Sequence, residues 1–127
     1  MFGSDIIRVK IKGFLKNITE KESTFFDEKG INNKNKLSFM SDNIKYIIKY
    51  SDSEIMLIRE NNDFINTFIF NKNNGSSSYT LKDNNYTIDM DIIVHDINIT
   101  NNVIYVKYTI SDTGFMYEYK IEMSECL

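Results

Sequence analysis

The 127-residue sequence contains no proline, a single cysteine and a single histidine. The lone cysteine, Cys126, excludes an intramolecular disulfide and any zinc site built from several cysteines. The five glycines are scattered singly, so the chain has no Gly-x-Gly phosphate loop. The net charge of −3 gives no bulk attraction to nucleic acid or to an anionic membrane. The sequence therefore gives no support for a disulfide-stabilised fold, a multi-cysteine zinc site, a phosphate loop or bulk electrostatic binding to nucleic acid.

The length of the chain predicts one domain, and its single cysteine fits a reducing compartment. A chain of 127 residues has the size of one ordinary domain, so we expect residues 1–127 to form a single one. The N-terminal segment MFGSDIIRVK lacks a basic start followed by a sustained apolar stretch, as a secretory signal or membrane anchor requires. We therefore expect a cytoplasmic protein without a membrane partner.

Alternation of apolar and polar residues is the dominant pattern, and it predicts β-strands. The first segment alternates apolar and basic residues: Ile7, Arg8, Val9, Lys10, Ile11 and Lys12. The same period returns in NIKYIIKY and FMYEYKIEM. Segments rich in β-branched and aromatic residues lie between them, and the short turn sequences that separate these segments join antiparallel neighbours. The sequence predicts an all-β fold, a single antiparallel meander of about 8–10 strands that closes into a barrel.

Residues 19–30, TEKESTFFDEKG, fit either a helix or a strand. Thr19 and Glu22 have the spacing of a capping box, and Gly30 could end a helix. However, Phe25 and Phe26 form too thin an apolar stripe to dock a helix. We expect a strand here, in keeping with the meander around it.

The segment NYTIDMDIIVHDINIT surrounds His95 with acidic residues and raises the question of a metal site. Alternation places Asp91 and His95 on the polar face of a strand, roughly 13 Å apart, which is too far for one metal ion. After His95 the apolar phase changes to Ile97 and Ile99, which predicts a bulge at His95–Asp96. A bend there could bring His95 nearer an aspartate, so both interpretations stay open. The solvated strand face is the favoured one.

The sequence contains no recognisable catalytic motif. His95 has no serine or cysteine in a nucleophile pattern beside it. No carboxylate pair stands out for glycoside chemistry among the eighteen acidic residues, although the sequence alone does not decide this. We expect a protein that is not an enzyme and that uses no cofactor.

The order of segments in the second half of the chain resembles a known family. Between Ile55 and Met123 the chain presents IMLIRENNDFINTFIF, a turn, SSYTL, the long NYTIDMDIIVHDINIT, VIYVKYTI and FMYEYKIEM. This order, with Arg59 after an apolar strand, a Tyr-Thr pair and a Tyr-rich final strand, resembles the YwiB-like family of bacterial proteins, the domain-of-unknown-function 1934 family. The resemblance implies a calycin-like (lipocalin-like) β-barrel and carries no catalytic motif.

Arg59 is the central candidate for ligand binding. It is in phase with the apolar residues before it, and Tyr108, Tyr117 and Tyr119 could offer hydroxyls to the same interior. A cation with phenols inside an apolar barrel can hold a carboxylate. The predicted partner is therefore a small lipophilic or anionic ligand in the lumen. In the alternative interpretation Arg59 reaches solvent beside Glu60.

Two further hypotheses concern the outer surface. A basic face for RNA or a protein partner would form if the strands that carry it are neighbours: Arg8, Lys10, Lys12, Lys45 and Lys49. The acidic net charge makes nucleic acid the weaker partner. The remaining hypothesis is a structural barrel with a side-chain-filled core, able to form a homodimer through an outer face that bears Ile47, Met116 or Val103.

Overall fold

The computed structural model describes residues 6–126, and ten β-strands make up its regular structure. The strands are β1 (Ile6–Asn17), β2 (Glu22–Asn33), β3 (Lys36–Ser41), β4 (Ile44–Tyr50), β5 (Glu54–Glu60), β6 (Phe64–Asn71), β7 (Gly75–Leu81), β8 (Tyr86–Ile99), β9 (Val103–Ile110) and β10 (Met116–Glu125). Over this part of the chain, no helix is long and apolar enough to cross a membrane.

The sheet closes on itself. Each strand pairs antiparallel with the next one in the chain, and β1 also pairs with β10 along Val9–Asn17 and Tyr117–Glu125. The result is a closed ten-stranded antiparallel meander barrel, which confirms the all-β barrel expected from the sequence. Closure removes most of the free edges that an open sheet of this size would expose.

Tight turns set the register of the first hairpins. Lys34 and Asn35 have φ angles of 50° and 64°, and Asp42 and Asn43 have φ angles of 51° and 64°. Two consecutive residues with positive φ are the signature of a type I′ turn, whose twist matches that of paired strands. The Asn-rich separators of the sequence therefore join neighbouring strands directly.

Residues 19–30 lie in a turn and the strand β2, so the expectation of a strand here is confirmed. Phe26 points into the barrel, where its ring centroid lies 5.4 Å from that of Tyr46 and 5.8 Å from that of Tyr119. Phe25 points outward and is 73% exposed. A strand separates two consecutive phenylalanines onto opposite faces, which a helix would not do.

The interior is built from alternate residues of the strands, and register rows cross the barrel from strand to strand. One row contains Tyr46, Arg59, Asn66 and Tyr79 on β4 to β7. The next row toward the opposite end contains apolar residues on β4 to β6, such as Leu57. The first row thus carries polar groups into a core that is otherwise apolar.

The two halves of β8 have different neighbours. Residues 86–92 pair with β7, and the ladder with β9 begins only at Ile92. Tyr86 and Ile88, which share the apolar phase of the buried Ile92, are 58% and 42% exposed, because they lie in the half of β8 that β9 does not cover. The register shifts between Val94 and Asp96, which confirms the bulge expected at His95–Asp96.

Candidate functional site

Arg59 lies on β5, directly between Tyr46 of β4 and Asn66 of β6 in the register of the sheet. It follows the buried Ile55 and Leu57 at two-residue spacing, so the strand period turns its side chain toward the interior. Its guanidinium carbon lies 5.7 Å from the ring centroid of Tyr46 and 5.9 Å from that of Phe64. Arg59 is half-buried between two aromatic faces, an arrangement typical of cation–π contacts.

The three candidate tyrosines lie in two aromatic clusters. Tyr108 of β9 stacks on Tyr117 of β10 with ring centroids 5.4 Å apart, and its ring centroid lies 4.7 Å from that of Phe70. Tyr119 of β10 is buried and packs against Phe26, as part of a cluster that also contains Tyr46. Tyr117 is half-buried.

The charge of Arg59 acts on both clusters. Burial raises the pKa of Tyr119 well above its ordinary value of 10.0, the neighbouring Tyr46 raises it further, and the positive charge of Arg59 lowers it. Burial and Tyr117 likewise raise the pKa of Tyr108, and Arg59 again opposes the increase. Both phenols are therefore neutral near pH 7 and available as hydrogen-bond donors. The positive charge of Arg59 therefore opposes the pKa increase of one tyrosine in each cluster.

Tyr117 marks the end of the barrel on which the site lies. Burial raises the pKa of Tyr117, and Glu20 and Glu22 raise it further. Both acids belong to the region where β1 turns into β2, so the Tyr117 hydroxyl lies near that end. The turn is held in place because the Met116 backbone N–H donates to Thr19 Oγ1 at 2.9 Å.

Two buried polar atoms of this region lack a hydrogen-bond partner within residues 6–126. They are Arg59 Nε and the hydroxyl oxygen of Tyr119. By contrast, the buried Tyr50 hydroxyl accepts a hydrogen bond from Asn32 Nδ2 at 2.7 Å. An unpaired buried donor costs about 1–3 kcal/mol, and native interiors rarely leave one. Arg59 and Tyr119 are therefore the place where a further molecule would lower the free energy.

Asn66 is a site residue that the sequence analysis missed. It is 4% exposed, opposite Arg59 in the register, and its Nδ2 donates to Ser77 Oγ at 3.2 Å and to the Ser78 carbonyl at 3.1 Å. A signal was present in DFINTFIF, where Asn66 is in phase with Phe68 and Phe70. An amide on the apolar phase of a strand indicates a polar position in the core.

The basic face expected from the sequence is divided in the structure. Lys45 and Lys49 lie on β4, and two strands, β2 and β3, separate β4 from β1. The strands are not neighbours, so the structure does not bring these five residues together on one face. Arg8, Lys10 and Lys12 remain together on the outer side of β1.

The outer residues suggested for a homodimer do not form one patch. Ile47 lies on β4, Met116 on β10 and Val103 on β9, and each is half-buried. Three strands separate β4 from β10 in the sheet order.

His95 lies on the outer surface of β8 at the bulge. Its Nε2 is 2.6 Å from Thr109 Oγ1 of β9. In the part of the chain that the structure describes, no group of three or more His, Cys, Asp and Glu residues could hold a metal ion. The bulge positions this histidine for a cross-strand hydrogen bond.

Comparisons with known proteins show the fold. No protein-family model matches the chain, and no curated protein does either. Among solved structures the chain is similar to the crystal structure of the YwiB protein from Bacillus subtilis, with a TM-score of 0.70. The two chains are 17% identical, and the match covers 98% of this chain and 94% of that one. The chain therefore has a YwiB-like barrel fold.

Proposed function

We propose that the protein binds a small anionic molecule inside the barrel, held by Arg59 and Tyr119, and that it serves as a binding protein without catalytic activity. The observation that carries this proposal is the pair of unpartnered donors, Arg59 Nε and the Tyr119 hydroxyl. Both belong to the interior near the β1–β2 end of the barrel, and the charge of Arg59 acts on the Tyr119 phenol.

The chemistry of the two groups favours an anion. An arginine side chain only donates hydrogen bonds and stays protonated, and a neutral phenol donates one. Within the described residues, the ion pairs are Lys82–Glu60 and Lys120–Glu122, so none of them neutralises Arg59. A carboxylate or another oxyanion accepts from both donors and balances the charge.

The surroundings favour a small ligand with an apolar part. Aromatic rings line the interior in mutual contact, with centroids of Phe26, Phe39 and Tyr46 between 4.9 and 5.9 Å apart. The close mutual contact of these rings favours a simple carboxylate or a small aromatic acid over a long lipid. The apolar rings lower the local dielectric, which strengthens a charge-assisted hydrogen bond.

A titration with matched acids and amides tests this proposal. We expect acetate, butyrate or benzoate to bind in isothermal calorimetry, and the amide of the same shape to bind more weakly. Arg59→Met should weaken binding of the acid roughly ten- to hundredfold, the effect of losing a hydrogen bond to a charged group. Arg8→Met is the matched control, because Arg8 and Arg59 are the only arginines of the chain and Arg8 is exposed.

A buried water molecule would satisfy the same donors without any ligand. In that case acids and amides would bind equally or not at all, and Arg59→Met would leave the titration unchanged. Either result would contradict the proposal.

We also infer that the chain is a member of the YwiB-like family. The order of its strand segments and the barrel that it shares with the Bacillus subtilis protein support this inference. A family alignment that retains an arginine at the position of Arg59 would agree with it.

A further inference from the structure

We propose that the ligand held at Arg59 is an arylalkanoic acid, an aromatic ring joined to a carboxylate by a short alkyl spacer, and that its ring lies on the inner face of the β7–β8 hairpin. This inference rests on the proposed anion site and adds the place and the chemistry of the ligand's apolar part. It follows from apolar side chains that have the inward phase of the barrel and are nevertheless exposed.

The first half of β8 presents apolar side chains on its inward phase without a strand to cover them. Tyr86 and Ile88 are 58% and 42% exposed, because the ladder with β9 begins only beyond them. The register places Leu81, which is 38% exposed, between Tyr86 and Phe64. It places Tyr79 beside Ile88. These residues form one continuous surface, which we call the apolar lip: Phe64, Tyr79, Leu81, Tyr86 and Ile88.

The opposite face of the same hairpin is polar. There Thr80 Oγ1 lies 2.9 Å from Thr87 Oγ1, and Ser78 lies opposite Asp89. The hairpin therefore has the polar surface that solvent requires on one face only. A continuous apolar surface that stays exposed on a folded chain indicates a contact with another molecule.

Contacts at the turn of the hairpin hold the apolar lip beside the anion site. The Lys82 backbone N–H donates to the Asp63 carbonyl at 2.9 Å, and Lys82 Nζ lies 2.7 Å from Glu60 Oε2. Alternate turns of a meander lie at the same end of a barrel, so the β1–β2, β5–β6 and β7–β8 turns surround one mouth. The apolar lip is thus tied to the end of β5 that carries Arg59.

The apolar lip begins at Arg59. The Arg59 guanidinium carbon lies 5.9 Å from the ring centroid of Phe64, and that ring stacks on Tyr79 with centroids 5.3 Å apart. The register row of Arg59 continues through Asn66 and Tyr79 to Ile88. Because neighbouring strands lie about 4.8 Å apart, Tyr79 is about 10 Å and Ile88 about 14 Å from Arg59 along the sheet. A short spacer therefore brings the ring of a bound acid onto the apolar lip.

The chemistry of the apolar lip favours an aromatic ring. Three of its five side chains are aromatic, and contacts between rings stabilise a complex beyond the area that they bury. The five side chains carry no charge, so a second carboxylate or a phosphate on the ligand would find no counter-charge among them. The inner face of a barrel is also concave, which suits a small molecule better than the surface of a protein partner.

Calorimetry with a series of acids tests the inference. We expect phenylpropionate and phenylbutyrate to bind roughly ten- to hundredfold more tightly than acetate, because burial of the ring adds to the contact of the carboxylate. The double variant Tyr86→Thr with Ile88→Thr should remove most of this gain and leave acetate binding unchanged. Both positions are exposed and threonine suits a strand, so the variant should fold.

Ile93→Thr is the matched control. Ile93 lies on the outer face of the same strand and is 52% exposed, so its replacement should leave the affinity for every acid unchanged. Nuclear magnetic resonance of the isoleucine δ1 methyl groups gives the position of the ring. Phenylbutyrate should shift the Ile88 methyl signal through its ring current and leave that of Ile93 in place, whereas acetate should shift neither.

A saturated ring tests the preference for an aromatic ligand. Phenylbutyrate should bind at least as tightly as cyclohexylbutyrate, although the saturated ring is the more apolar of the two. Clearly tighter binding of cyclohexylbutyrate would overturn the assignment of an aryl acid.

Failure of this inference is distinguishable from failure of the anion site. If acetate and benzoate bind through Arg59 but the longer aryl acids gain nothing, or the double variant binds phenylbutyrate like the wild type, the ring does not lie on the apolar lip and only this inference fails. If no acid binds, or Arg59→Met has no effect, both fail. A wild-type dimer that becomes a monomer in the double variant would show that a second copy of the chain covers the apolar lip, which also overturns the inference.

Discussion

At the scale of single residues, the proposed anion site depends on which buried side-chain donors lack a hydrogen-bond partner. Tyr119 and Tyr50 are both buried tyrosines, but only the Tyr50 hydroxyl has a hydrogen-bond partner in the described chain. The sequence predicted from strand phase that Arg59 and Tyr119 could share the interior; in the structure Tyr119 is buried and Arg59 is half-buried. It could not show which hydroxyl lacks a partner, because that depends on contacts between distant strands.

The first prediction uses this contrast between the two tyrosines. In protein that has been unfolded and refolded to remove bound molecules, Tyr119→Phe should raise the free energy of unfolding by about 1 kcal/mol, since it removes an unpaired buried hydroxyl. Tyr50→Phe should lower it by about 1 kcal/mol, since it leaves Asn32 Nδ2 with only the weak acceptor Met123 Sδ. Urea unfolding measures both. A loss of stability in both variants would show that the Tyr119 hydroxyl is satisfied without a ligand.

The second prediction concerns the freshly purified protein. If a bound anion accepts from Tyr119, then Tyr119→Phe should lower the thermal midpoint before refolding and raise it afterwards. The same sign in both preparations would contradict an occupied site.

At the scale of elements, alternation and turn chemistry predicted most strands, and the exceptions have local causes. β5 and β9 lie where the segments EIMLIRE and VIYVKYTI predict them. At the start of β8 the apolar residues on the inner phase are exposed, because the period of a strand does not reveal that the next strand begins later along it. The short β2–β3 pairing was also beyond the sequence, since it follows from the tilt of the strands around a closed barrel.

A glycine in β1 offers a test of barrel closure. A Cβ at Gly13 would overlap the backbone carbonyl of Lys120 in β10 and lie 3.1 Å from Ile121 Cα. Because backbone atoms cannot move aside cheaply, Gly13→Ala should destabilise the protein by about 1–3 kcal/mol. Ser124→Ala, at an exposed position of β10, should change stability by less than about 0.5 kcal/mol. A neutral effect of Gly13→Ala would show that β1 and β10 do not pack closely at this position.

At the scale of the whole molecule, buried phenols make stability depend on alkaline pH. The pKa of Tyr105 is raised to about 12, first by burial and then by its hydrogen bond to Glu118, and burial raises those of Tyr108 and Tyr119. In the unfolded chain these groups ionise near pH 10.0. The folded state therefore holds protons that the unfolded state has lost.

Stability should be constant below pH 10 with respect to these groups and should fall as the pH rises from about 10 toward 12. Urea unfolding at a series of pH values checks this, with tyrosinate absorbance as a second signal. Tyr108→Phe should reduce the slope, because it removes one of the raised groups. A stability that stays flat up to pH 12 would contradict the burial of these phenols.

The central claim is that the barrel holds a small anion at Arg59, and native mass spectrometry of freshly purified protein tests it most directly. We expect the wild-type chain and Arg8→Met to carry an extra mass that is lost on denaturation and detected as a small anion. Arg59→Met should show the bare chain. A bare wild-type chain, or the same extra mass in Arg59→Met, would contradict the claim.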